Sequence, residues 1–283
     1  MTSQKNGWIG LALVLSLGLS ACEVEEVMAP PSRGLVHLAL GNPSNAQANA
    51  AFSSNFLIVR DQYALSYHRD RGTANWVAWQ LDKTWLGNVP RQDDFRADVL
   101  LPANWFRAAG NSYSGSGFDR GHLCPSADRD QTIADNSATF FMTNIIPQAP
   151  DNNQGPWADL EIYCRSLVGT DQNELYLWAG GYGQGGIGST GFANQVANGQ
   201  VTVPARTWKV IVVLPKGDQD LERINANTRV IAVDMPNTQG IFDTDWRNFR
   251  VSIDAIEMAT GLDFLADLPN SLESVLESRI DNQ

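Results

Sequence analysis

The chain has 283 residues, 43% of them hydrophobic and 18% charged, with a formal net charge of −11 at pH 7. That apolar content can bury a sizeable core and excludes wholesale disorder. The acidity excludes a protein that grips nucleic acid through a broad basic face; any hold on phosphate has to come from a few placed arginines and a metal ion.

Residues 1–22 read as a targeting segment. "MTSQKNG" carries Lys5 and no acid, and the apolar run "WIGLALVLSLGLSA" is short for a membrane span. The segment closes on "LSAC", which supports two readings: a lipoprotein signal, with Cys22 lipidated and anchored to a membrane, or ordinary secretion with cleavage near Ala21–Cys22. Both export the protein to the periplasm or beyond. Residues 23–34, "EVEEVMAPPSRG", read as an acidic, proline-bearing tether. No repeat or composition shift follows, so residues 35–283 are expected to form one domain.

Strand-like runs come first, at 35–40, 55–59, 63–67 and 75–81. A loop-rich stretch follows from Gly87 to Gly117. Another strand-like run spans 138–148. "NNQGPWADLEIYCRSLVG", residues 152–169, reads as a helix, with Pro156 suited to its first turn and Gly169 to its cap. Strands are expected at 174–180, 207–215 and 229–236, and helices at 252–261 and 271–280. Many strands with few, non-alternating helices predict an α+β fold with a mostly antiparallel central sheet flanked by helices.

"GYGQGG" matches a dinucleotide-binding spacing, but "IGSTGFANQVANGQ" after it opens no helix, so it reads as a glycine-rich hairpin loop. No nucleophile elbow or zinc spacing occurs. His37 and His68 read as structural or exposed. The third histidine, His122, lies in "GFDRGHLCPSADRD". On a strand, Arg120 and His122 share one face, and Gly121 between them admits a close neighbour. Asp119 points the other way and anchors the strand. Asp128 and Asp130 read as turn residues with Arg129 as partner. Export would permit a disulfide between Cys124 and Cys164, and two packed thiols are equally open.

The following stretch is rich in amides: Asn144, Gln148, Asn152, Asn153 and Gln154. Amide carbonyls are hard, neutral ligands suited to Mg²⁺. On a continuous helix Asn153 and Glu161 share a side, roughly 12 Å apart along the axis. The economical assignment is Asn153 as direct ligand, with Glu161 reaching metal-bound water. The plain alternative is a helix end capped by amides.

"YSGSGFDRGH" and "TFFMTNIIPQAPDNNQGPWADLE", with "RQDDFRAD" upstream, resemble the DNA/RNA non-specific endonucleases, which share a ββα-metal active site. The resemblance runs over nearly the whole chain. It implies His122 as general base, Asn153 as the direct ligand of one Mg²⁺ or Mn²⁺ ion, and Glu161 ordering that ion's waters. It implies Arg91 and Arg120 on the scissile phosphate, with Asn144 and Gln148 around the site. It implies hydrolysis of DNA and RNA to 5′-phosphorylated products. Cys124 departs from the family, where alanine is common, so a bridge to Cys164 is not inherited. This assignment needs His122 and Asn153 near one phosphate and open to solvent. The alternative is a surface-anchored lipoprotein that binds nucleic acid without cutting it. Whether a cognate protein inhibitor protects the host is left open.

Overall fold

The computed structural model describes residues 1–2 and 33–283. Most of the targeting segment, Cys22 and the tether up to residue 32 lie outside the described residues. Among the described residues no helix is long and apolar enough to cross a membrane.

A 3-10 turn, Arg33–Leu38, precedes three strands: β1 (Phe56–Val59), β2 (Ala64–His68) and β3 (Thr73–Leu81). After the long loop come β4 (Asp119–His122), helix α1 (Ile133–Ala138), β5 (Ile145–Gln148) and helices α2 (Pro150–Gln154) and α3 (Pro156–Val168). Strand β6 (Asn173–Tyr182) leads into two short ribbons, β7 (Gly186–Gly188) with β8 (Gly191–Ala193), and β9 (Gln195–Val196) with β10 (Val201–Thr202). Then follow β11 (Arg206–Pro215), α4 (Asp220–Arg223), β12 (Arg229–Pro236), β13 (Arg250–Val251), α5 (Ile253–Thr260) and α6 (Asn270–Glu277).

Seven strands form one sheet in the order β1-β2-β3-β6-β11-β12-β13, every neighbouring pair antiparallel. Side chains alternate across a strand, so each central strand feeds two cores. Val77, Trp79, Leu177, Ile211 and Val233 face one side, where they meet Leu123, Ile146, Trp157 and Leu160 of the β4–β5–α3 layer. Trp76, Trp178, Trp208, Val210 and Ala232 face the other, against Ile253, Ile256, Phe264 and Leu276. The first layer carries the site: two paired strands and the helices after them, packed on the sheet.

Two expected strands take other forms. Residues 35–40 belong to the 3-10 turn and its exit, with His37 and Leu40 buried and Leu35 exposed, a three-residue rhythm in place of alternation. The run 138–148 divides: Ala138 ends α1, Met142–Asn144 is a 3-10 turn, and only Ile145–Gln148 is strand. The expected helix over 152–169 is broken at Gly155, whose φ/ψ of −100°/−115° is not helical. An added Cβ there would lie 2.6 Å from Asp151 O and 2.8 Å from Phe242 Cα.

Candidate active site

Strands β4 and β5 pair with Asp119 opposite Gln148 and His122 opposite Ile145. As the two-residue period requires, Arg120 and His122 share a side, and both meet Phe95. The Arg120 guanidinium lies 3.8 Å from that ring's centroid and the imidazole 5.4 Å away. Phe140 meets the imidazole edge-on at 4.9 Å, and the Arg91 guanidinium lies 4.9 Å from the Phe140 centroid. Arg91 donates through Nε to Asp93 Oδ1 (2.7 Å) and through Nη1 to Ser126 Oγ (2.8 Å), while Arg120 Nη1 donates to Gly110 O (3.0 Å).

The openness to solvent expected of His122 is not met in this structure: the ring is enclosed. The residue is 8% exposed and Nε2 is buried without a hydrogen-bond partner. The two flanking phenylalanines, neither of them anticipated, are the reason. Burial first, then the charges of Arg91 and Arg120, push its pKa down to about 3. The imidazole is therefore neutral near pH 7, the state a proton acceptor requires.

Asp119 points to the other side and accepts from Asn153 Nδ2 (2.9 Å) and Gln154 Nε2 (2.8 Å). It joins β4 to α2 and orients Asn153. With its nitrogen committed, the Asn153 amide presents its carbonyl oxygen, which accepts no hydrogen bond among the described residues. A hard neutral oxygen aligned by a carboxylate behind it fits a divalent ion. Asn153 and Asp119 line a cleft of about 820 Å³ together with Arg91, Phe95 and Arg120; His122 is not among the lining residues and meets the cleft through its contact with Phe95.

Glu161 is not among the residues lining that cleft. The break at Gly155 removes the continuous helix on which its distance from Asn153 was reckoned. Its Oε1 accepts from Lys209 Nζ at 3.3 Å, and burial raises its pKa while Lys209 opposes the rise. Lys209 is fully buried, 4.1 Å from the Trp157 ring centroid, and the Trp157 indole donates to His122 O at 3.3 Å. The pair thus stands one turn of α3 from the residue that ties this helix to β4. Lys209 was legible in principle, as a lysine on an alternate position of the apolar run "TWKVIVVLP".

Asn144 is wholly buried and structural. It accepts from Cys124 N (2.9 Å) and donates to Cys124 O (2.8 Å) and Thr139 O (2.9 Å). Gln148 is also buried; it donates to Asn152 Oδ1 at 2.6 Å. Cys124 and Cys164 are free and buried in the core shared by the sheet and α3, and burial raises both pKa values to about 12. The bridge is not formed, and thiols so protonated are poor nucleophiles. Asp128 lies in a 3-10 turn, Ser126–Asp128, as expected, but its carboxylate is not solvated: it is 1% exposed, accepts from Trp79 Nε1 (2.9 Å) and pairs with Arg165 (2.9 Å). Arg129, fully buried, donates to the carbonyls of Gln62, Asp128 and Gln80.

Residues 40–271 match the family model of the DNA/RNA non-specific endonucleases. The chain is 48% identical to a nuclease of Nostoc sp. over 98% of both chains. It is 31% identical to the Serratia marcescens nuclease over 80% of this chain and 81% of that one, and 35% identical to human mitochondrial endonuclease G over 74% and 69%. An endonuclease G solved in complex with the inhibitor EndoGI superposes with a TM-score of 0.70 at 24% identity, covering 86% of this chain and 96% of that one.

Proposed function

The chain belongs to the DNA/RNA non-specific endonuclease family, and from that premise we propose an exported, divalent-metal-dependent phosphodiesterase that cuts DNA and RNA internally and leaves 5′-phosphates. One juxtaposition carries the reading: Arg91, Arg120 and the oriented amide of Asn153 border one cleft, and the neutral imidazole of His122 packs against Phe95 of its lining.

In this reading His122 accepts the proton of the attacking water as its oxygen bonds to phosphorus and the P–O3′ bond breaks. Neutral imidazole can do this throughout the physiological range. Arg91 and Arg120 supply permanent positive charge to the non-bridging oxygens as their charge grows. Asn153 would hold Mg²⁺ or Mn²⁺ directly, with Asp119 fixing the amide; Glu161, outside the cleft lining and paired with Lys209, would act only through water. When bound, the ion supplies Lewis-acid neutralisation of the phosphate and of the departing oxygen. Recognition falls on the sugar–phosphate chain, which suits a nuclease indifferent to sequence and sugar. Export through residues 1–22, lipidation at Cys22 and a protein inhibitor covering the cleft belong to the same proposal.

Incubating plasmid DNA and single-stranded RNA with the protein tests it. Both should be degraded with Mg²⁺ and preserved with EDTA. His122→Ala should lose ~10²–10⁴-fold in rate while remaining folded by circular dichroism at the assay temperature. A variant retaining more than a few per cent of the rate, or cleavage in EDTA, overturns the mechanism. Retention of nucleic acid without cleavage would favour the binding protein instead.

A further inference from the structure

Far along the chain from the catalytic residues, α5 and α6 bring three carboxylates together. Asp254, Glu257 and Glu277 each offer an oxygen, and these oxygens lie within 4.8 Å of one another. Clustered acids on a surface need no ligand, and Asp254 is exposed. Glu277 is different. It is 6% exposed, and its Oε1 is buried with no hydrogen-bond partner. The side chain that is enclosed and unpartnered is the one aimed into the cluster.

Nothing positive relieves it. None of the ion pairs among the described residues involves any of the three. The strongest charges acting on Glu277 are those of Glu257, Glu273, Asp254 and Asp263, all carboxylates. Arg279, two residues on, is turned away to the carbonyls of Thr228 and Ala226. Glu277 is also the last residue of α6, whose final turn has no basic side chain. The negative end of a helix disfavours an added carboxylate and favours a cation. Glu257 is oriented by Phe264 N, which donates to its Oε1 at 2.7 Å.

We propose that Asp254, Glu257 and Glu277 form a second cation site, selective for Ca²⁺, that ties α5 to α6. Calcium accepts carboxylate oxygens at about 2.3–2.6 Å in irregular geometry, so one ion can touch all three. Water reaching the exposed Asp254 side completes its shell. Mg²⁺ demands a near-ideal octahedron and sheds water reluctantly, which this loose triad does not meet. The site is independent of the catalytic reading.

Thermal melts of the full chain with CaCl₂ alone test it, in the wild type, Asn153→Ala, Glu277→Gln and Asp254→Asn. Calcium at tenfold excess over its Kd should raise the melting temperature of the wild type and Asn153→Ala alike, by roughly 3–5 °C. Neither carboxylate variant should respond, and Glu277→Gln should keep its Mg²⁺-supported activity. If Glu277→Gln does not fold, Asp254→Asn, at an exposed position, gives the answer alone. A response that survives both carboxylate changes, disappears in Asn153→Ala, or is missing from the wild type overturns the site. In the last case a shared proton is what relieves the cluster.

Discussion

Asn153 has an amide with two ends, and Asp119 takes one of them. Removing that acceptor leaves the amide free to turn its nitrogen toward the ion. Asp119→Ala should therefore raise the Mg²⁺ concentration for half-maximal activity by ~10–100-fold, as loss of an orienting partner does, with much of the rate returning at high metal. An unchanged titration would sever Asp119 from the metal. His122 carries a second expectation. Because burial and two guanidiniums hold its pKa near 3, the acid limb of kcat/KM at saturating metal should lie well below pH 6.5. A limb centred at 6–7 would show that the ring titrates as it does in water. Asp119 and His122 could be picked out within "DRGH" and Asn153 within the amide-rich "DNN", with their roles implied by the family resemblance. Phe95 and Phe140 could not, since each arrives from a separate segment and meets His122 only in space.

At the scale of elements, the pairing of β4 with β5 depends on a missing side chain. A Cβ on Gly121 would fall on Gln148, overlapping Oε1 and lying 2.6 Å from Cβ. Gln148 cannot swing aside freely, because its amide is bonded to Asn152 in α2. Gly121→Ala should cost ~1–3 kcal/mol, the usual penalty of overpacking, in urea unfolding. Activity at 25 °C should fall as well, since the same shift displaces Asp119 and His122. Full activity with a normal midpoint would mean that the strands tolerate separation. The sheet itself was readable: β3, β6, β11 and β12 lie within two residues of the expected runs, because long β-branched and aromatic stretches admit little else. The shorter pieces were not. Thr132 caps α1 by accepting from Asp135 N, a Thr-x-x-Asp signal that stands in the sequence just ahead of the apolar run. The break at Gly155 hid inside an otherwise helical pattern.

Across the whole molecule, two enclosed histidines couple folding to pH. His37 accepts from Gln80 N at 3.1 Å through Nδ1 and meets Asp61 O at 2.8 Å through Nε2, so it is held as the neutral tautomer. Burial, then Arg129, pushes its pKa down to about 3, as His122 is pushed by its own surroundings. The unfolded chain takes up these protons near the ordinary value of 6.5. Between about 6.5 and 3 the unfolded state therefore binds protons that the folded state refuses. Their contribution is complete above 6.5 and drains away as pH falls toward 3, by at most ~1.4 kcal/mol per pH unit for each ring. Glu277, raised to about 8 from 4.5 by burial, works in the opposite sense: its contribution is present below 4.5 and lost as pH rises through 8. Comparing variants at equal pH, in EDTA, cancels that term. His37→Gln can still accept from Gln80 N and donate to Asp61 O, yet does not titrate. The free energy of urea unfolding should fall less steeply from pH 6.5 to 5 in His37→Gln than in the wild type, by close to one proton's slope. Parallel curves would show that His37 is charged in the folded protein, and that its contact with Asp61 outweighs its burial.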